Sequence, residues 1–82
     1  MNRPEIEYPC AWSYRVIGTD EKSLRQAISE CLEGREYRVS LSSSSSSGKY
    51  ISLNLETTVH SEEVRVSTYH SLGRHPLVKI VL

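Results

Sequence analysis

The chain has 82 residues, with ten Lys plus Arg against ten Asp plus Glu. That makes one small domain of zero formal charge and excludes a chain-wide field for nucleic acid or an anionic membrane surface. Such a chain buries only about 60% of its extended surface, so its core is a single layer. Cys10 and Cys31 are too few for the disulfide framework of a secreted mini-protein, and no run approaches the roughly 18 apolar residues of a membrane span. No signal-peptide pattern opens the chain, and the expectation is a soluble protein of the reducing cytoplasm.

Residues 1 to 9 are polar, carry Pro4 and Pro9 and show no period, which predicts a flexible lead-in to a domain spanning 10 to 82. From Cys10 to Ile17, Trp12, Tyr14 and Val16 alternate with Ser13 and Arg15 as a first strand, ended by Gly18. Thr19 or Asp20 then offers an N-cap, with Glu21 in the first turn. Leu24, Ala27, Ile28, Cys31 and Leu32 follow at helical spacing, and Gly34 stands where a left-handed residue would stop the helix at about Glu33.

Tyr37, Val39 and Leu41 alternate as a second strand that gives way to the serine run 42 to 47, expected to be a mobile hairpin loop because serines bury nothing. The stretch from Gly48 to Val59 is a third strand. Ile51, Leu53, Leu55, Thr57 and Val59 share one face, and Tyr50, Ser52, Asn54, Glu56 and Thr58 the other. His60 or Ser61 before Glu62 and Glu63 predicts a second helix lined by Val64, Thr68, Tyr69 and Leu72, with Val66 off the stripe and Gly73 and Pro76 ending it. Val78, Ile80 and Leu82 alternate with Lys79 and Val81 as a last strand.

This order predicts an α+β, ferredoxin-like βαββαβ sandwich with sheet order 4-1-3-2 and both helices on the face bearing Ile51, Leu53 and Leu55. Ser13, Arg15, Tyr50, Ser52, Asn54 and Lys79 fall on the uncovered face.

Three segments, Trp12-Ser-Tyr-Arg-Val-Ile-Gly18, Ser47-Gly-Lys-Tyr-Ile-Ser52 and His75-Pro-Leu-Val-Lys-Ile-Val-Leu82, resemble the YbeD-like family of small bacterial proteins. The resemblance runs over nearly the whole chain from Tyr8 onward. It implies a ferredoxin-like domain similar to the ACT-type regulatory domain of 3-phosphoglycerate dehydrogenase, and it implies no reaction.

The residues themselves carry no catalytic signature. There is one Asp, Asp20, and no Gly-x-Ser-x-Gly elbow. Glu62 and Glu63 are adjacent and point apart on a helix. Gly48-Lys49 lacks the preceding glycine of a phosphate loop. His60, His70 and His75 with the two cysteines show no zinc spacing, so neither a metal nor another cofactor is expected. Cys31 reads as a small core residue.

Two surfaces remain. The turn at Gly18, Thr19 and Asp20 matches the place where, by the ACT resemblance, small amino-acid-like effectors bind, and a helix N-terminus there could hold a carboxylate; a plain turn and cap is the competing reading. The uncovered face, with Arg15, Tyr50, Ser52, Asn54 and Lys79, suits contact with another protein or a second copy. A base-stacking role on that face is the weakest reading, since one tyrosine without the Lys/Arg-Gly-aromatic signature is a thin platform. The expectation is a non-enzymatic, ACT-like regulatory or protein-interaction module with no membrane partner; the alternative is a small-molecule sensor.

Overall fold

Two long strands of alternating polarity decide the architecture. In the computed structural model, which describes residues 7–44 and 49–82, β1 (Cys10–Gly18) and β3 (Ile51–Val59) pair antiparallel along their whole length, from Cys10↔Val59 to Gly18↔Ile51. This register puts Tyr14 opposite Leu55 and Val16 opposite Leu53 on one face, all buried. Those side chains need a cover, and two amphipathic helices supply it: α1 (Glu21–Leu32) seats Leu24, Ala27, Ile28 and Leu32 on the sheet, and α2 (Glu62–Arg74) seats Thr68 and Leu72. With β2 (Tyr37–Ser44) beside β3 and β4 (Ile80–Val81) beside β1, the sheet order is β2-β3-β1-β4. The predicted α+β, βαββαβ sandwich with order 4-1-3-2 is the observed fold.

Both helix starts follow from their caps. The Asp20 carboxylate accepts from the Ser23 backbone N–H at 2.8 Å and from the Ser23 hydroxyl at 2.9 Å. Ser61, not His60, caps α2, accepting from the Val64 N–H at 3.1 Å.

Besides the start of β3, which is found at Ile51 and not ahead of Tyr50, three boundaries and one register differ from expectation. The left-handed exit of α1 begins at Glu33, φ 43°, one residue before Gly34, φ 84°. The second strand continues into the serine run as far as Ser44, because β3 offers a full ladder and a bulge between Leu41 and Ser43 absorbs the irregularity. Residues 45–48 lie outside the described residues, as does most of the predicted lead-in, residues 1–6. Gly73 does not end α2, which runs on to Arg74 before the His75 cap.

The last difference is one of register. β4 meets β1 as Val16↔Val81 and Ile17↔Ile80, so Val81 faces the core and Ile80 stands 51% exposed beside Ile17. Val78 is buried ahead of the strand, where a turn bonds its N–H to the His75 carbonyl. That turn, not a continuous alternation, places Val78, and it shifts the parity of everything after it.

Leu53→Ala should cost about 2–5 kcal/mol in a urea titration, since Leu53 is fully buried between the helices and the sheet. Asn54→Ala, on the uncovered face, should cost well under half as much. Comparable losses would contradict the register.

Candidate functional site

Gly18, Thr19 and Asp20 form a filled corner. A Cβ on Gly18 would lie 2.6 Å from Leu24 Cδ2 and 3.0 Å from the Leu77 carbonyl oxygen, so the glycine is required by close packing of α1 and the chain before β4. The carboxylate of Asp20 occupies the helix N-terminus itself, and the two bonds from Ser23 hold its pKa below the ordinary value. The seat that an effector carboxylate would use already contains one.

The uncovered face brings together only part of the expected set. Arg15 stands opposite Asn54, and Ile17 opposite Ser52. Ser52 is nearly buried, and its Oγ is the only buried side-chain oxygen or nitrogen without a hydrogen-bond partner among the described residues. Tyr50 lies before β3 and Lys79 before β4, both outside the paired strand residues, although the Lys79 N–H still bonds the Ile17 carbonyl. Arg38 and Glu56 oppose each other across β2 and β3. Apart from Ile17 and Ile80 the face is largely polar, without aromatic side chains along its paired strands among the described residues.

A different surface gathers three of the exposed apolar side chains, Val66, Tyr69 and Leu82. On the helix-covered side, where β1 enters the sheet, Trp12, Tyr14, Arg65, Val66, Tyr69 and Leu82 surround a hollow of about 460 Å³. Arg65 organises it. Its guanidinium carbon lies 4.6 Å from the centroid of the Trp12 ring, its Nε donates to the Tyr8 hydroxyl at 3.2 Å, and its Nη2 reaches Glu62 at 3.3 Å. Its backbone carbonyl accepts a 2.7 Å bond from the Tyr14 hydroxyl, which ties β1 to α2. Burial pushes the Tyr14 phenol above its usual pKa, more than the nearby arginines lower it, so it stays a donor. Val66 and Tyr69, 40% and 42% exposed, flank the hollow on α2.

Next to the hollow, one edge of β1 is unpaired among the described residues. The Arg15 N–H and carbonyl both bond to Leu82, and the Ile17 carbonyl accepts from Lys79. Residues of the same parity toward the chain start, Ser13 and Ala11, turn their backbone groups to this side, and the pairing with β4 stops short of them. Both are exposed. Sequence reading missed this surface because Tyr69 was placed with the core; Val66, which broke the helical stripe, was the signal that could have found it.

Two further titratable groups, His75 and Cys31, serve structure. His75 Nδ1 accepts from the Leu77 N–H at 3.2 Å, which leaves Nε2 to donate to Glu30 at 2.7 Å and clamps α1 to the turn after α2. Cys31 is half-buried, and its pKa is raised, mainly by burial and then by Glu30 and Glu33, which keeps it a thiol. No group of three or more His, Cys, Asp or Glu suited to a metal occurs among the described residues. No helix among them is long and apolar enough to cross a membrane.

Topology and register together define a ferredoxin-like two-layer domain with an apolar hollow beside an open strand edge. The chain belongs to the family described as "Protein of unknown function (DUF493)", which matches residues 3–82. It is 38% identical over 69 residues to the Campylobacter jejuni "Uncharacterized protein Cj0253", covering 84% of this chain and 79% of that one. It is 33% identical to a "UPF0250 protein" of Yersinia pestis, covering 94% and 91%, which bears out the YbeD-like resemblance. The solution structure of protein HP0495 from Helicobacter pylori superposes with a TM-score of 0.83 at 27% identity, over 98% of this chain and 88% of that one.

Gly18→Ala should destabilise by about 1–3 kcal/mol in chemical denaturation, because Leu24, itself fully buried, has no space to yield. An unchanged midpoint would show room for a ligand at the corner. Asp20→Ala should lower the melting temperature at neutral pH. Because the folded pKa of Asp20 is depressed, its contribution is present above the ordinary carboxylate value and disappears as pH falls through the folded one. The gap between variant and parent should therefore close below about pH 4; a gap that persists to lower pH would contradict the cap.

Proposed function

We propose that this domain is a non-enzymatic, ACT-like protein-interaction module of the bacterial cytoplasm, and that it works through the hollow at Trp12 and the adjoining edge of β1. One observation carries the reading: Val66, Tyr69 and Leu82 expose apolar surface around a half-buried tryptophan, right beside backbone groups that have no strand partner among the described residues. Aromatic anchors next to a wettable rim are the composition of binding hot spots, and an unpaired edge recruits extended chain. The cytoplasmic placement is supported by Cys10 and Cys31, both free thiols in a fold whose core does not need a disulfide.

The effector-sensor reading has less to stand on, since Leu24 and the Asp20 carboxylate fill the corner it requires. The nucleic-acid reading has less still, for want of stacking side chains on the uncovered face.

The test is binding by an immobilised domain carrying Val66→Glu and Tyr69→Glu, compared with the parent. Both positions are exposed, so the melting temperature should stay within a few degrees. Affinity for whatever the parent retains from bacterial extract, further copies of the chain included, should fall about tenfold or more. Equal retention by both would rule this surface out.

A further inference from the structure

We propose that β2 pairs with the β2 of a second copy of the chain, antiparallel about a two-fold axis at Val39, so that one sheet runs through both copies. This is the edge of the sheet remote from the hollow, and the inference does not depend on the hollow. β2 lies in mid-chain, between α1 and β3.

The parity of the ladder comes first. Arg15 exchanges both backbone bonds with Leu82, so it faces β4 and not β3. Bonded and unbonded pairs alternate along an antiparallel ladder. Asn54, opposite Arg15, therefore turns its backbone groups to β2, and Ser40, opposite Asn54, gives its own to β3, as does Arg38 opposite Glu56. Tyr37, Val39 and Leu41 then aim N–H and carbonyl away from the sheet, at an edge with no partner among the described residues.

Both ends of this window are closed. Before it, the Arg35 N–H bonds the Leu32 carbonyl at 3.0 Å. After it, the bulge sets Ser43 opposite Ser52, whose groups face β2, so Ser43 is turned to β3. An axis at Val39 sets Val39 against its counterpart, Tyr37 against Leu41, and Arg35 against Ser43. All three outward residues of each copy are bonded, and the two closed ends coincide. An axis at Arg38 would set Leu41 against Arg35, and an axis at Ser40 would set Tyr37 against Ser43, each leaving outward groups unbonded. The edge is self-complementary in one register, as a two-fold contact requires.

The side chains agree with the backbone. The three outward residues are the apolar ones of the strand, on the helix side opposite Thr57, Leu55 and Leu53. Tyr37 is 38% and Leu41 55% exposed, and Val39 is only partly buried against the core. Edges that stay unpaired are guarded by charge or proline, and none of these three positions carries either. In the pair, each Tyr37 ring meets Leu41 of the other copy, an aromatic–aliphatic cross-strand contact. On the opposite face Arg38 stands against Ser40 of the other copy and beside Glu56 of its own, so no like charges meet head-on. A chain of zero formal charge carries no net repulsion against itself.

The experiment is light scattering of the full chain over a concentration series at low salt, with Tyr37→Lys, Leu41→Glu and the double variant. Positions 37 and 41 lie roughly 13 Å apart along one strand, too far to pair within a copy, yet the axis sets each against the other across the contact. The parent should dimerise as concentration rises, and each single variant should need about tenfold more protein or more. The double variant, in which an ammonium faces a carboxylate twice, should return to within about threefold of the parent and lose that recovery in 1 M salt, where the screening length is about 3 Å. In a dimer of labelled and unlabelled parent, an isotope-filtered Overhauser contact should join the Arg38 Hα of one copy to the Ser40 Hα of the other; this reading needs no substitution. A parent that stays monomeric at millimolar concentration, a dimer indifferent to the single substitutions, a double variant no better than the singles, or a dimer without the Arg38–Ser40 contact would overturn the proposal.

Discussion

Along β1 and β3 every residue from Cys10 to Gly18 has a partner between Val59 and Ile51, and the apolar half of that ladder is what the rest of the chain is folded to cover. Tyr14 shows how tightly cover and ladder are joined. Its ring lies in the core opposite Leu55, and its hydroxyl bonds the backbone of α2 at Arg65. A slip of β1 by one residue would send Tyr14 and Val16 to the solvent side and break that bond with them. The helices do not select this register; the alternation of the strands does, and the helices respond to it.

That dependence explains why the fold was legible in the sequence. Period-two alternation in β1 and β3, period-3.6 spacing in α1, and the caps Asp20 and Ser61 are local signals that point to one arrangement. The misreadings occur where a local signal met a tertiary constraint. Ser42 to Ser44 have no propensity for a strand, yet the β3 ladder draws them in. Gly73 looks like a helix stop, yet α2 continues through it, because its termination is set by the His75 cap. At Lys79 the alternation is offset by a turn whose hydrogen bond from Val78 to His75 leaves no periodic trace.

The site was less legible for the same reason. Which face of a strand is polar can be read from residues, but which edge lacks a partner depends on how far a neighbouring strand extends, and β4 pairs with only a short part of β1. The notable surface therefore lies not on the uncovered face, where Ser52, Asn54 and Arg15 make a polar ladder, but at the border between sheet and α2. There Arg65 lays its guanidinium on Trp12 while its own carbonyl receives the Tyr14 hydroxyl. The same residue thus holds α2 to the sheet and shapes the hollow, so stability and contact surface are joined at one position.

The claim on which the account turns is that over Cys10 to Tyr14 one edge of β1 is paired with β3 and the other has no partner among the described residues. Amide hydrogen exchange read residue by residue tests it directly. Trp12, Tyr14 and Val16, which face β3, should be protected together with Arg15, while Ala11 and Ser13, whose backbone groups have no partner among the described residues, exchange at close to the rate of unpaired backbone. Protection of Ala11 and Ser13 equal to that of their neighbours in the dilute monomer would contradict the account.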